Sequence, residues 1–252
     1  MNKSGTVVIT GAAGGIGAAL CNRFGVAGFS ILAVDVDEKG LADLSKKLNH
    51  DNIHHVIATV DITNKDALTK KVLDGISVLG KPLKVLINNA AINKIEPFSP
   101  DSISNLERIM QVNFLAPVYA TGICLEQLIQ LRGTIINISS TAGFAPLYHR
   151  TSYCSSKYAL NGFSEVLRTE LKDKGVNVIS VYPTFVKTKF SYEYNRGKGV
   201  KGVSTPMEVV SKIYSGYIKK RNHVFIGKGR MVYFLYKYLP GLYLKLMLKQ
   251  QK

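Results

Sequence analysis

At 252 residues, 46% hydrophobic and 20% charged, the chain has the material for one large domain with a substantial core, which excludes disorder along its whole length. A net charge of +16 points to an anionic neighbour, but no nucleic-acid recognition motif accompanies the basic residues, so no nucleic-acid partner is expected. Three scattered cysteines with no Cys-x-x-Cys pair argue against a disulfide framework or zinc site and for a reducing compartment.

The start, "MNKSGTVVIT", runs straight into an apolar segment and leaves no room for a signal peptide. No uninterrupted apolar run reaches the length of a spanning helix. The location expected is cytoplasmic.

Apolar β-branched runs then alternate with segments of helical period. Residues 6–10, 30–35, 54–60, 84–88, 133–139 and 176–182 read as strands, with a short seventh strand in "HVFIG". Helices are expected after each, including a long stretch near 102–131 interrupted at Pro117, one over 152–173 and one near 206–220. The strands are continuous apolar runs, which fits a parallel sheet covered on both faces. The fold class is therefore α/β: one doubly wound domain over 1–252, with a core at 5–188, a lid at 189–206 and a basic, apolar tail at 228–252.

The first strand ends in "TGAAGGIG" (10–17) and a helix follows. Gly11, Gly15 and Gly17 allow a tight turn and close backbone approach, and the helix N-terminus presents free N–H groups to a pyrophosphate. Asp35 ends the second strand, where a carboxylate accepts the ribose hydroxyls of NAD and repels the 2′-phosphate of NADP. No Arg or Lys stands at 12–16 or 36 to offset that repulsion, so NAD is favoured over NADP. Asp37 is the rival ribose ligand and reads better as a helix cap. Asp61 reads either as a hydrogen-bond partner for the adenine or as a turn residue.

Residues 151–160, "TSYCSSKYAL", place Tyr153 and Lys157 on one helix face. A free tyrosine titrates near ~10. An ammonium ~5 Å away, at an effective dielectric of ~20, favours phenolate by ~3 kcal/mol. The positive nicotinamide ring of NAD⁺ adds to this, and the two effects together bring the phenol toward the pH where general acid–base catalysis works. Ser140 lies 13 residues earlier at a strand end, while Ser139 should point the other way.

The glycine turn, "NNAA" (88–91), Asn113, "SSTAG" (139–143) and Tyr153-x-x-x-Lys157, in this order, resemble the short-chain dehydrogenase/reductase family over about 5–190. The resemblance implies a single-domain Rossmann fold with about seven parallel strands and an oxidoreductase interconverting an alcohol and its carbonyl with NAD. It implies that Ser140 holds the substrate oxygen, Tyr153 moves its proton, Lys157 grips the nicotinamide ribose, and Asn113 ties the lysine to a water chain. It adds cofactor contacts at Ile16, Ile62, Asn89, Ala90, Val186 and Thr188, and assembly as a homodimer or homotetramer through the helices near 102–131 and 152–173. Two positions depart from its pattern. Ala91 and Thr184 stand where glycines are usual, which puts cofactor fit in question.

In the lid, Tyr192 and Tyr194 are candidate substrate contacts or packing residues. The tail is rich in Leu, Tyr and Met, carries interspersed cations, and no acidic residue follows Glu208. It suits an anionic membrane surface, peripheral on the inner face, or else caps the pocket or packs on a neighbouring subunit. A greasy tail of this kind points to a lipophilic small-molecule substrate of sterol, retinoid or long-chain acyl type. The alternatives kept open are an NADPH-dependent reductase of a lipid intermediate and a non-catalytic nucleotide-binding membrane protein.

Overall fold

Strands made of Val, Ile and Leu with both faces apolar are stable only between two layers of helix. In the computed structural model, which describes residues 5–188, 190 and 203–249, β1 (Thr6–Thr10), β2 (Ser30–Asp35), β3 (His55–Thr59), β4 (Leu83–Asn88), β5 (Thr134–Ile138), β6 (Asn177–Tyr182) and β7 (His223–Phe225) form one parallel sheet in the order 3-2-1-4-5-6-7. Alternate side chains enter opposite layers. Val7, Ile9 and Ile31 pack with Phe24 of α1 (Gly15–Val26), Leu41 and Leu44 of α2 (Glu38–His50), and Val210 and Ile213 of α7 (Pro206–Ile218). Val8, Leu32 and Leu86 face Leu68 and Val72 of α3 (Lys65–Leu79), Leu128 of α5 (Ala116–Gln130) and Leu167 of α6 (Thr151–Glu170).

Local chemistry fixes where the helices begin. Asp37 accepts from the Gly40 N–H, Asn64 from Ala67, and Thr205 with Glu208 forms a reciprocal cap behind Pro206. The expected break at Pro117 takes another form. Pro117 sits in the first turn of α5, and the helix widens just before it, into a π turn at Gln111–Leu115 that follows α4 (Ile103–Met110). Pro117 has no N–H to offer the Asn113 carbonyl four residues earlier, and a wider turn relieves the ring's clash there.

Buried polar groups pin α6 to the sheet. Asn88 donates to Asn137 Oδ1 (2.8 Å), Asn137 donates to Ser164 Oγ (2.8 Å), and Ser164 donates to the Leu160 carbonyl (2.6 Å). The chain closes with α8 (Gly229–Tyr238) and α9 (Pro240–Lys249), which fold back over the ends of β5 and β6. The strand order reverses between β1 and β4, and the crevice beyond their C-terminal ends is where such sheets place ligands.

Candidate active site

That crevice is a cavity of about 1260 Å³, large enough for a dinucleotide and a second small molecule. At its floor Gly11 has φ +66°, and a Cβ there would lie 2.7 Å from Ala90 Cα. A Cβ on Gly17 would lie 2.0 Å from the Gly11 carbonyl oxygen, and one on Gly15 would press on Thr188 at 2.9 Å. The N-cap of α1 is Gly14, with no side-chain cap and no acidic residue in the first turn, so its amide groups stay open to a phosphate. Ile16, Ile62, Asn89, Ala90, Val186 and Thr188 all line the cavity. Asn89 also braces the loop, donating to the carbonyls of Thr10 (3.0 Å) and Gly11 (2.9 Å).

The three candidate carboxylates are already partnered. Asp35 accepts from the amides of Ala13 (2.9 Å), Val36 (2.7 Å) and Asp37 (3.1 Å) while facing the cavity. Asp37 is the cap of α2, as expected. Asp61 takes the turn role, accepting from the Thr63 amide and hydroxyl, and also lines the cavity. The two departures do not strain the backbone. Neither Ala91 nor Thr184 has a positive φ, and the Thr184 side chain lies against Gly227, where a Cβ would come within 2.4 Å of its Oγ1.

Ser139, Ser140, Tyr153 and Lys157 line the same cavity. Ser140 caps a single 3₁₀ turn at 141–143, accepting from the Ala142 amide, whereas Ser139 is buried with an unpartnered hydroxyl. Lys157 is 1% exposed and donates to the Ile138 carbonyl at 3.0 Å. Its other two donors have no protein partner among the described residues, which fits a nucleotide ribose. Its Nζ is 5.8 Å from the centre of the Tyr153 ring.

The electrostatics differ from the sequence expectation. Burial pushes the Tyr153 phenol up to about 12; the Ser140 side chain and then the Arg150 charge pull against it, and Cys154 adds to the rise. Burial also takes Lys157 down to about 7. Burial of the phenol outweighs any lowering by the lysine in this site, since the amine is itself desolvated and holds its proton less tightly.

The Asn113 side chain is engaged by protein partners. It accepts from the Ile92 amide (2.8 Å) and donates to the Ile92 carbonyl (2.9 Å) and to Ser156 Oγ (3.0 Å). It thus clamps the loop after β4 onto α6, and among the described residues it makes no hydrogen bond to Lys157. Tyr192 and Tyr194 fall outside the described residues.

A family model described as short chain dehydrogenase matches residues 5–199. A short chain dehydrogenase of Pseudocercospora fijiensis is 30% identical over 187 residues, 73% of this chain; the match spans 60% of that relative's length. A dehydrogenase/reductase SDR family protein 7-like of Anopheles gambiae is 26% identical over 263 residues, covering 97% of this chain and 82% of its own. The crystal structure of a short chain dehydrogenase from Mycobacterium paratuberculosis bound to NAD superposes with a TM-score of 0.79 at 23% identity, over 89% of this chain and 96% of that one. The chain belongs to the short chain dehydrogenase family. It is an oxidoreductase of the class that acts on CH–OH groups with a nicotinamide nucleotide.

One part of this short chain dehydrogenase's cavity was missed in the sequence, and another was legible only as one alternative among several. The first is Arg150, the residue before α6. Its signal was its place, three residues ahead of Tyr153. The other is the tail, whose Met231, Val232, Leu235, Leu246 and Met247 form a cavity wall. Tyr243, 8% exposed, donates to the Pro146 carbonyl at 2.9 Å and holds α9 there. The pocket-capping alternative for the tail is the one this contact realises, while the opposite side of α8 and α9 stays exposed.

The depressed Lys157 gives a signed prediction. In the unfolded chain the amine keeps its proton to about 10.5, but in the folded protein only to about 7. Between those values the unfolded state binds the extra proton, so stability rises with pH and the cost of burying the ammonium fades. Nucleotide-free Lys157→Met should be more stable than the parent near pH ~6, by up to about 5 kcal/mol, with the gap closing toward pH ~10. Urea unfolding across that range measures it, and a gap that ignores pH would contradict the assignment.

Proposed function

We propose that this chain interconverts a lipophilic alcohol and its carbonyl compound using NAD(H). The observation that carries the reading is one cavity with Ser140, Tyr153 and Lys157 on one side and the apolar tail residues on the other. Ser140 holds the substrate oxygen, Tyr153 gives or takes its proton, and the two unspent donors of Lys157 hold the ribose hydroxyls. The bound nucleotide supplies or accepts the hydride. Asn113 and Ser156 position α6 for this work, and Pro117 cannot give the Asn113 carbonyl its usual helical donor.

NAD is favoured because Asp35 faces the cavity and neither the glycine turn nor exposed Val36 offers a cation to a 2′-phosphate. The lipophilic substrate, of sterol, retinoid or long-chain acyl type, follows from the wall formed by Leu147, Phe190, Leu235, Leu246 and Met247. Such an enzyme belongs to lipid metabolism. Tyr153→Phe should lower NADH-linked turnover of a lipophilic ketone by ~10²–10⁴-fold. NADPH, run in parallel, should serve the parent enzyme less well. Undiminished turnover in the variant rejects the role given to Tyr153.

We further propose that α8 and α9 rest on an anionic bilayer. Phe234, Tyr238, Leu239, Leu242 and Leu248 are exposed, and Lys237, Lys245 and Lys249 are interspersed among them with no acidic residue after Glu208. The stretch Pro100–Gln130 is long and apolar enough to cross a membrane by composition, but Ala116, Ala120, Cys124 and Leu128 are packed in the core. The cysteines are free and buried, in keeping with a reducing compartment and the inner face of a membrane. Exposed Ile103, Tyr158 and Val166 on α4 and α6 suit assembly as a homodimer or homotetramer. Vesicles of neutral lipid with added phosphatidylserine should bind the protein at least ~10-fold better than neutral vesicles, less so in high salt, and Phe234→Glu with Leu242→Glu should weaken binding. Equal binding to neutral and anionic vesicles would remove the proposal.

A further inference from the structure

Arg150 is half-buried in the cavity wall, and its charge is felt by Tyr153. It precedes Tyr153 by three residues, about 5 Å along a helix axis. Among the described residues its side chain makes no hydrogen bond and no ion pair, so all five guanidinium donors are unspent. Every acidic residue that lines the cavity belongs to the nucleotide end and is already engaged: Asp35 by three amides, Asp37 by Gly40, Asp61 by Thr63. The other cations lining the cavity are Lys157, which donates to the Ile138 carbonyl, Arg108 on α4 and Lys228 at the start of α8. Leu147, Val232 and Leu235 give this wall an apolar stretch.

A substrate that fills this space takes water from the guanidinium. A neutral occupant would strand a charge in an apolar wall, which is costly. An occupant with an oxyanion would pair it through two parallel N–H···O bonds. We propose that Arg150 is an anion subsite of the substrate cavity and that the substrate is an amphiphile with a carboxylate or phosphate beside the reacting carbon and an apolar chain along α8 and α9. This deepens the reading of the site as a lipophilic-alcohol dehydrogenase and rests on it. It narrows the class from neutral lipids to hydroxy or keto amphiphiles with a charged head.

The test is binding to the full-length, NAD-loaded protein, measured by calorimetry with three probes of equal chain length: dodecanoate, dodecyl phosphate and methyl dodecanoate. The parent should bind the better anion about tenfold to hundredfold more tightly than the ester, the range for a charge-assisted hydrogen bond. The tighter of the two anions names the head group. Arg150→Gln should remove the preference, and Arg150→Lys should keep part of it, because an ammonium retains the charge without the fork. An ester bound as well as both anions, a preference that survives in Arg150→Gln, or no binding of any probe to the parent would overturn the subsite. Tyr153→Phe should keep the anion preference, so failure of the acid–base reading shows in turnover alone.

Discussion

The burial of Lys157 beneath α6, with one donor spent on the Ile138 carbonyl, is the constraint on which the site depends. An amine in that position is a burden to the free protein, and burial answers by lowering its proton affinity. The same burial raises the phenol above it. Coulomb attraction across ~5 Å at an effective dielectric of ~20 would favour phenolate by ~3 kcal/mol. The rise to about 12 is a net cost of about 3 kcal/mol to the phenolate, so desolvation outweighs whatever the lysine contributes while the pair stands alone. Ser140 and Arg150 oppose it within the protein, and a positive nicotinamide ring is the charge that remains to be added.

The fold holds these groups in place by means separate from the chemistry. The relay from Asn88 through Asn137 to Ser164 fixes α6 against β4 and β5 in the core. Asn113, Ser156 and the Tyr153 carbonyl form a second tie at the other end of the same helix. Breaking either tie would leave a buried polar group unpaired, which costs more than the bond contributes. The π turn before Pro117 aims Asn113 at that tie.

The sheet was legible in the sequence because doubly buried parallel strands are written as continuous apolar runs, and the glycine turn because only small residues fit the approach of Gly11 to Ala90. Ser140, Tyr153 and Lys157 were legible as a set through their spacing. The direction of the Asn113 side chain was not, since it is decided by Ile92 and Ser156 from two other segments. The weight of desolvation on the phenol was not legible because burial cannot be seen in an i, i+4 spacing. The tail's place over the cavity rests on a bond between residues 97 positions apart, Tyr243 and Pro146, and no local pattern announces it. Arg150 was passed over because a lone cation before a helix looks like surface until the cavity wall is seen around it.

One side of α8 and α9 lines the cavity and the other stays exposed, so a single pair of helices joins substrate access to whatever surface the outer side meets. The account stands on the phenol being held high by burial until the site is charged. The direct measurement is the ultraviolet titration of Tyr153, taken as the difference between the parent and Tyr153→Phe, with and without NAD⁺. The account predicts ionisation near 12 in the free protein and a fall of at least ~2 units on loading. Ionisation at the ordinary tyrosine value in the free protein, or no movement on loading, would contradict it.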